Sequence, residues 1–437
     1  MSDTVEAPPP REPPPGTPSQ PRRLTLRAFW AALPPAGRWL LSTIAISTLG
    51  RGLTLPFTVI YIHEVRGVPL DVAGALMALI GVVAVVVTAP VGILTDRLGA
   101  RRVVVAGLLA QVLGVTVIAF ASSVPVLAVA LGLLGVSFGA GRPASSAMIA
   151  SIVGGRLRVQ YFGVNFALVN LGIGVGGVIG GFVADVDRPG TFTAVFLADA
   201  VCLLVPVVLL LGPLRRVAGR VPASDDSPAG AGYLAILRRP AVLWVTALTF
   251  LTSFAGYGQL ETGFPAFARQ VSEVSTRTVG LAFAANTAVI VLMQFLVLRL
   301  IDGHRRTRVL LVLGGVWVAS WLLLGSTGVV SGTLAASAGV VLFLALFGLG
   351  ETLLQPTVPA IVNDLASERD RGRYNAVSAM AMQMGAVTAP VVAGLMLDRR
   401  LGGMFVALLL GCLLVVAGLA LALERSITAE VNGVTDT

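Results

Sequence analysis

The chain has 437 residues, of which 56% are hydrophobic and only 12% are charged. Its mean hydropathy is +0.88, and so few charges cannot form the polar surface of a water-soluble globule, which excludes a soluble enzyme or binding domain. The net charge of +9 comes from arginines scattered among short loops, which argues against a nucleic-acid partner and for contact with lipid headgroups.

Twelve apolar runs follow one another along the chain, and a helix needs about 20 residues to cross a bilayer. We predict spans at 39–62, 72–94, 103–120, 124–153, 163–184, 192–211, 241–264, 279–301, 309–324, 334–362, 376–397 and 404–423. The runs at 103–120 and 309–324 are the shortest of the twelve. The pattern therefore indicates an all-α integral membrane protein embedded in a lipid bilayer.

The arginines set the expected orientation. Apart from Arg51 and Arg142, which lie well inside spans, 23 arginines fall on the side of the two termini and only six on the other side. Because arginine is retained on the cytoplasmic side of a membrane, we predict a multi-pass protein of the plasma (inner) membrane with both termini in the cytoplasm.

The chain divides into two related halves. We predict a disordered cytoplasmic tail at 1–37, a six-helix bundle at 38–212, a polar cytoplasmic linker at 213–239, a second six-helix bundle at 240–425 and a cytoplasmic tail at 426–437. Two segments repeat: 96–102 corresponds to 302–308, and 172–181 corresponds to 385–394. Parallel halves of this kind place a substrate site where they meet, midway through the bilayer.

A charged loop between the second and third spans resembles a known family motif. The residues that match G-x-L-a-D-r-x-G-r-r are Gly92, Leu94, Asp96, Arg97, Gly99, Arg101 and Arg102. This loop is similar to that of the major facilitator superfamily, which implies twelve transmembrane helices in two pseudo-symmetric six-helix bundles. The resemblance also implies a gating role for Asp96, Arg97, Arg101 and Arg102, with Asp302 at the corresponding place in the second half.

The fifth span is rich in glycine, which lets neighbouring helices approach closely. The residues expected to serve such packing are Gly172, Gly176, Gly180 and Gly181, with Pro390 at the corresponding part of span eleven. The spacing also resembles the g-x-x-x-G-P-x-x-G-G element of antiporter branches of the superfamily. However, Gly177 stands where that element has proline, so packing alone and a role in exchange both remain open.

Charges inside spans are costly and mark functional sites. Arg51, Arg142, Glu261 and Glu351 lie in the first, fourth, seventh and tenth predicted spans, which line the central cavity in the resembled fold. They could be structural ion pairs, a proton relay, or direct ligands of a charged substrate. Asp199 in the sixth span is a further proton-coupling candidate, although that span is peripheral in the resembled fold.

Uncharged polar residues complete the predicted substrate cavity. They are Tyr257, Gln259, Asn286, Gln294 and Gln355. The sequence has no phosphate-binding glycine loop and no metal-ligand spacing, so we expect no cofactor and no metal, with a proton gradient as the energy source.

The resemblance favours a monomeric proton-coupled exporter of a small amphipathic compound, similar to the twelve-helix drug:proton antiporters. Alternating access would move the substrate, and protonation of Glu351 or Glu261 would release it. The first alternative is a carrier for a sugar, metabolite or organic anion bound by Arg51 and Arg142. A second is a receptor or membrane enzyme, which would need a catalytic constellation on one membrane face.

Overall fold

The computed structural model describes residues 26–153, 155–215, 236–367 and 370–434, and the regular elements in these ranges are helices. Twelve of the described helical segments are long and apolar enough to cross a membrane, which confirms the predicted number. Spans 1 to 6 are Pro35–Val65, Leu70–Leu98, Ala100–Phe120, Val124–Ile152, Gly155–Val183 and Pro189–Leu211. Spans 7 to 12 are Pro240–Leu260, Thr276–Ile301, Arg306–Thr327, Leu334–Leu365, Arg371–Asp398 and Gly402–Glu424.

Short helices at Leu26–Ala32 and Gly263–Gln270 and a 3₁₀ turn at Gly328–Val330 lie between or before the spans. Spans 3 and 9 are full-length helices of 21 and 22 residues, although their apolar runs are short. Spans 1 and 7 are irregular, since each contains a π-helical turn, at Tyr61–Val65 and Ser253–Tyr257. Such turns are frequent at functional sites because they shift the direction of neighbouring side chains.

We call the side where span 1 begins and span 12 ends the terminal face, and the other side the opposite face. The tail predicted at 1–37 differs from expectation after residue 25, because Leu26–Ala32 is helical. Phe29 and Leu33 are 1% and 2% exposed there, and this burial holds the helix against the first bundle. At the other end, Asn432 accepts a hydrogen bond from the backbone N–H of Thr307, which fixes residues up to 434 to span 9.

The two halves pack their helices in the same pattern. In the first half, span 1 contacts spans 5 and 6, span 3 contacts spans 4 and 6, and span 2 contacts span 4. In the second half, span 7 contacts spans 11 and 12, span 9 contacts spans 10 and 12, and span 8 contacts span 10. Each of these contacts of the first half thus has a counterpart six spans later, as two pseudo-symmetric bundles require.

The halves meet along two seams, between spans 2 and 11 and between spans 5 and 8. Close approach at the second seam depends on glycine: a Cβ on Gly280 would lie 3.0 Å from the Cα of Gly181. The other predicted glycines, Gly172, Gly176 and Gly180, face span 1 instead. Span 5 therefore carries glycines that face both span 1 and span 8, in keeping with their predicted packing role. In the first seam, the backbone carbonyl of Pro390 lies against Gly74.

Candidate functional site

An ion pair joins the two halves near the middle of span 1. The Nη2 atom of Arg51 lies 3.1 Å from Oε1 of Glu261, which follows the last turn of span 7. The two side chains are 34% and 36% exposed, and the Arg51 guanidinium also lies 4.4 Å from the ring centre of Phe138. The pair is thus held by a cation–π contact on one side and is open on the other.

A buried carboxylate lies within the second half. Glu351 of span 10 is 6% exposed, and its Oε1 atom has no hydrogen-bond partner among the described residues. Asn286 of span 8 approaches span 10 closely because Gly348 has no side chain, and its amide donates to the carbonyl of Leu344 at 3.2 Å. A buried acid that lies beside an amide and has no arginine partner among the described residues is suited to exchanging its charge.

One turn along span 10, Gln355 is exposed and donates from Nε2 to the hydroxyl of Tyr257 at 2.8 Å. Residues four apart share one face of a helix, so Glu351 and Gln355 are successive groups on the side that faces span 7. The structure therefore brings together Tyr257, Asn286, Glu351 and Gln355, four of the residues that the sequence placed in the site.

Asp199 is not peripheral. It is 1% exposed and accepts a hydrogen bond from the Thr54 hydroxyl at 2.9 Å, which turns the acid of span 6 toward span 1. Asp199 and Arg51 both line a cavity of about 40 Å³ that lies among spans of the first half and reaches Glu261. The first half thus contains a second buried acid, beside the cation that bridges to Glu261.

Two other predicted positions need a different account. Gln259 is fully buried, and its amide donates to the carbonyl of Phe254 at 3.0 Å. In the state described, the irregular turn of span 7 frees that carbonyl and the glutamine side chain satisfies it, so the place of Gln259 in the substrate cavity remains a prediction. Gln294 of span 8 is half-buried with a buried Oε1 atom. The Arg142 side chain lies outside the described residues.

The predicted gating loop lies on the terminal face. Arg97, Arg102 and Asp302 are exposed, and Arg101 donates to the carbonyl of Leu210 at 3.0 Å, tying span 3 to span 6. The Asp96 side chain lies outside the described residues. These described contacts stay within one half, so the gating role remains a prediction.

Sequence reasoning missed a second connection between the halves. At the opposite face, Nε of Arg269 donates to Oε1 of Glu64 at 2.8 Å and its Nη2 donates to the other carboxylate oxygen. Next to this bidentate pair, Gln270 Nε2 lies 3.1 Å from His63 Nε2. Glu64 and Arg269 are 205 residues apart, and both lie just beyond the predicted spans. Only their opposite charges, at the ends of two related spans, could have suggested the pair.

Several described hydrogen bonds and ion pairs join the halves between mid-membrane and the opposite face. They include the Glu64 and Arg51 pairs, the Thr276 hydroxyl on the carbonyl of Ala184, and the Leu70 N–H on Asp398. The described contacts therefore close the opposite face.

Comparison with known proteins assigns the family. A sequence model of the Major Facilitator Superfamily matches residues 40–341 and 271–434. The chain belongs to this superfamily. It is therefore a multi-pass membrane transporter of the superfamily and not an enzyme, and its all-α, twelve-span fold is the one its sequence predicts.

Several curated members of the superfamily are similar over most of their length. The uncharacterized MFS-type transporter YttB of Bacillus subtilis is 26% identical over 369 residues, which cover 84% of this chain and 89% of that protein. The multidrug resistance protein MdtH of Aeromonas salmonicida is 24% identical, with 83% and 88% covered. Multidrug resistance protein 1 of Bacillus subtilis is also 24% identical, with 82% and 89% covered.

Solved transporters share the fold. The nucleoside transporter NupG superposes with a TM-score of 0.74 at 12% identity, covering 90% of this chain and all of NupG. A POT family transporter solved with a thioalcohol-conjugated peptide gives a TM-score of 0.71 at 15% identity, covering 91% and 98%. At these identities the likeness concerns the fold alone.

Proposed function

We propose that this member of the superfamily is a proton-coupled exporter of small amphipathic compounds that works by alternating access as a monomer in the cytoplasmic membrane. The observation that carries the proposal is the Arg51–Glu261 ion pair, because it bridges the halves and a proton on Glu261 would remove its charge. The multidrug resistance proteins among its relatives support export of amphipathic compounds.

The arginine distribution supports a cytoplasmic terminal face. In that orientation the contacts at the opposite face close the site to the outside, and the state described is one that loads substrate from the cytoplasm. Protonation of Glu261 would free Arg51 and weaken one bridge between the halves. Rocking of the bundles about the glycine seams would then expose the site to the other side.

Glu351 is the second proposed proton carrier. A cationic amphipathic compound that reaches Tyr257 and Gln355 lies within one helical turn of Glu351, so compound and proton would compete for one carboxylate. Competition of this kind links outward movement of the compound to inward movement of protons. Asp199 lies among the spans of the first half, and we give it a separate role below.

The test uses purified full-length protein in vesicles that enclose a pH-sensitive dye. Addition of ethidium, an amphipathic cation, should move protons in the wild-type protein and in the control Asp187→Asn, which changes an exposed acid. Coupled proton movement should fall at least about tenfold in Glu351→Gln and in Glu261→Gln. Full coupling in both variants would contradict the proposal.

An organic-anion carrier is the second candidate. Arg51 is one-third exposed and uses only one guanidinium nitrogen on Glu261, which leaves further donors for an anionic group. In that case the vesicles would transport anionic rather than cationic test compounds. Arg51→Gln would then abolish binding, whereas Glu351→Gln would leave binding intact.

A further inference from the structure

A cavity lies among the spans of the first half and reaches Glu261, at the surface where the bundles meet. It has a volume of about 40 Å³ and is lined by residues of spans 1, 2, 3, 4 and 6, together with Glu261. A volume of this size accommodates about three water molecules. Its polar lining residues are Arg51, Thr54, Thr58, Gln111, Asp199 and Glu261.

Asp199 is an acid with unused bonding capacity. Its Oδ2 atom accepts from Thr54, but Oδ1 is buried and has no hydrogen-bond partner among the described residues. A Cβ on Gly50 would lie 2.7 Å from this Oδ1 atom, so only a glycine at position 50 leaves enough space for the carboxylate. A buried carboxylate oxygen without a donor is costly, and a nearby cation that can reach it would remove that cost.

Arg51 is the cation that faces this acid. It lines the same cavity, and Thr54, which already binds Asp199, follows Arg51 by one helical turn on the same side of span 1. Gln111 of span 3, a neutral group bonded to Ser137 of span 4, lines the same cavity, and the thiol of Cys202 lies near Asp199 on span 6 itself. In the state described, Arg51 pairs with Glu261 and forms no ion pair with Asp199.

We propose that Asp199 is the second counter-ion of Arg51, and that the guanidinium moves through the cavity from Glu261 to Asp199 when Glu261 loses its charge. The inference rests on the proposed neutralisation of Glu261. Asp199 is then a positioning residue: it keeps Arg51 paired inside the bilayer after the bridge between the halves has opened. Without it, release of Glu261 would leave an unpaired arginine in the protein interior, which opposes opening.

The first test is a double-mutant cycle on the thermal unfolding of the purified protein, which requires neither substrate nor a proton gradient. Because either acid can serve Arg51, Asp199→Asn and Glu261→Gln should each lower the Tm by about 2 °C or less, and together by about 6 °C or more. Adding Arg51→Gln should abolish this excess loss. Additive losses, or an excess that persists without the arginine, would overturn the proposal.

If the double variant cannot be purified in folded form, the triple variant with Arg51→Gln decides the matter. Recovery of folded protein on removal of the cation supports the proposal, because the defect then lies in the unpaired arginine. Failure of both variants to fold overturns it.

The second test reads the opposite face directly. Thr276→Cys, placed in a Cys202→Ala and Cys412→Ala background, puts a thiol at a position that is 9% exposed in the seam between spans 5 and 8. Reaction with a membrane-impermeant maleimide should be about threefold faster in Glu261→Gln, which frees Arg51. It should be about threefold slower in Asp199→Asn, which leaves Glu261 without a competitor.

A residue that only supports the fold would speed the labelling in both variants, and that result would overturn the proposal. The two proposals fail separately. If the labelling and stability results hold while ethidium drives no protons, proton coupling is wrong and the exchange of counter-ions stands. If proton coupling depends on Glu261 but maleimide labelling becomes faster in both Glu261→Gln and Asp199→Asn, only the proposed role of Asp199 is wrong.

Discussion

The two seams between the halves use the same backbone packing but different polar contacts. In one seam Gly74 of span 2 crosses Gly394 of span 11, and a Cβ on Gly74 would lie 3.1 Å from the Cα of Gly394. In the other seam Gly280 of span 8 crosses Gly181 of span 5, and a Cβ on Gly280 would lie 3.0 Å from the Cα of Gly181. Gly74 and Gly280 are 206 residues apart, the same separation as Asp96 and Asp302. The glycine crossings are therefore copies of one another.

The polar contacts do not repeat in this way. The first seam has the Leu70 N–H on Asp398, and the second has the Thr276 hydroxyl on a backbone carbonyl. Between spans 1 and 7, the Arg51–Glu261 pair has no charged copy, because a separation of 206 residues brings Arg51 onto Tyr257 and Glu261 onto Leu55. The backbone packing of the seams therefore repeats, whereas this ion pair does not.

Substitution of the seam glycines should have the largest effect. Gly280→Ala and Gly74→Ala should each destabilise the closed seam by about 1–3 kcal/mol, because the added methyl group meets backbone that cannot move aside. Thermal unfolding of the purified protein measures the loss. Gly411→Ala is the matched control, since a Cβ there meets open space. If one of the two seam variants matched the control, the seams would not be equivalent.

Removal of the opposite-face ion pair should have an intermediate effect. Glu64→Gln should cost the closed state about 1 kcal/mol and raise maleimide labelling of Thr276→Cys about fivefold, because a bidentate and partly buried pair is lost. The exchanged variant Glu64→Arg with Arg269→Glu should restore slow labelling. Continued fast labelling in that variant would show that the pair itself does not hold the face closed.

The single hydrogen bonds of the seams should contribute least. Asp398→Ala and Thr276→Val should each destabilise the protein by about 0.6 kcal/mol, the usual contribution of such a bond in a membrane protein. Unfolding midpoints of the two variants can be compared directly. A much larger loss in one of them would mean that the polar contacts, and not the glycines, distinguish the two seams.

The family and the span count could be predicted because both depend on local features. Apolar runs near 20 residues leave a helix as the only structure that satisfies its backbone in lipid, and the loop around Asp96 carries its motif within a few residues. Glu351 and Tyr257 were also placed in the site, since a polar residue in an apolar run is conspicuous. The partner of Gln259 could not be predicted, because a π-helical turn in span 7 directs its side chain toward Phe254.

The amino-acid sequence by itself determined that this protein is a twelve-span transporter with repeated halves, because hydropathy and short motifs act over one or two helical turns. The tertiary structure alone decided the partners: Arg51 with Glu261, Glu64 with Arg269, and Asp199 with Thr54. These partners are between 145 and 210 residues apart. Which side chains meet over such distances depends on helix rotation and packing, and those are properties of the whole assembly of spans.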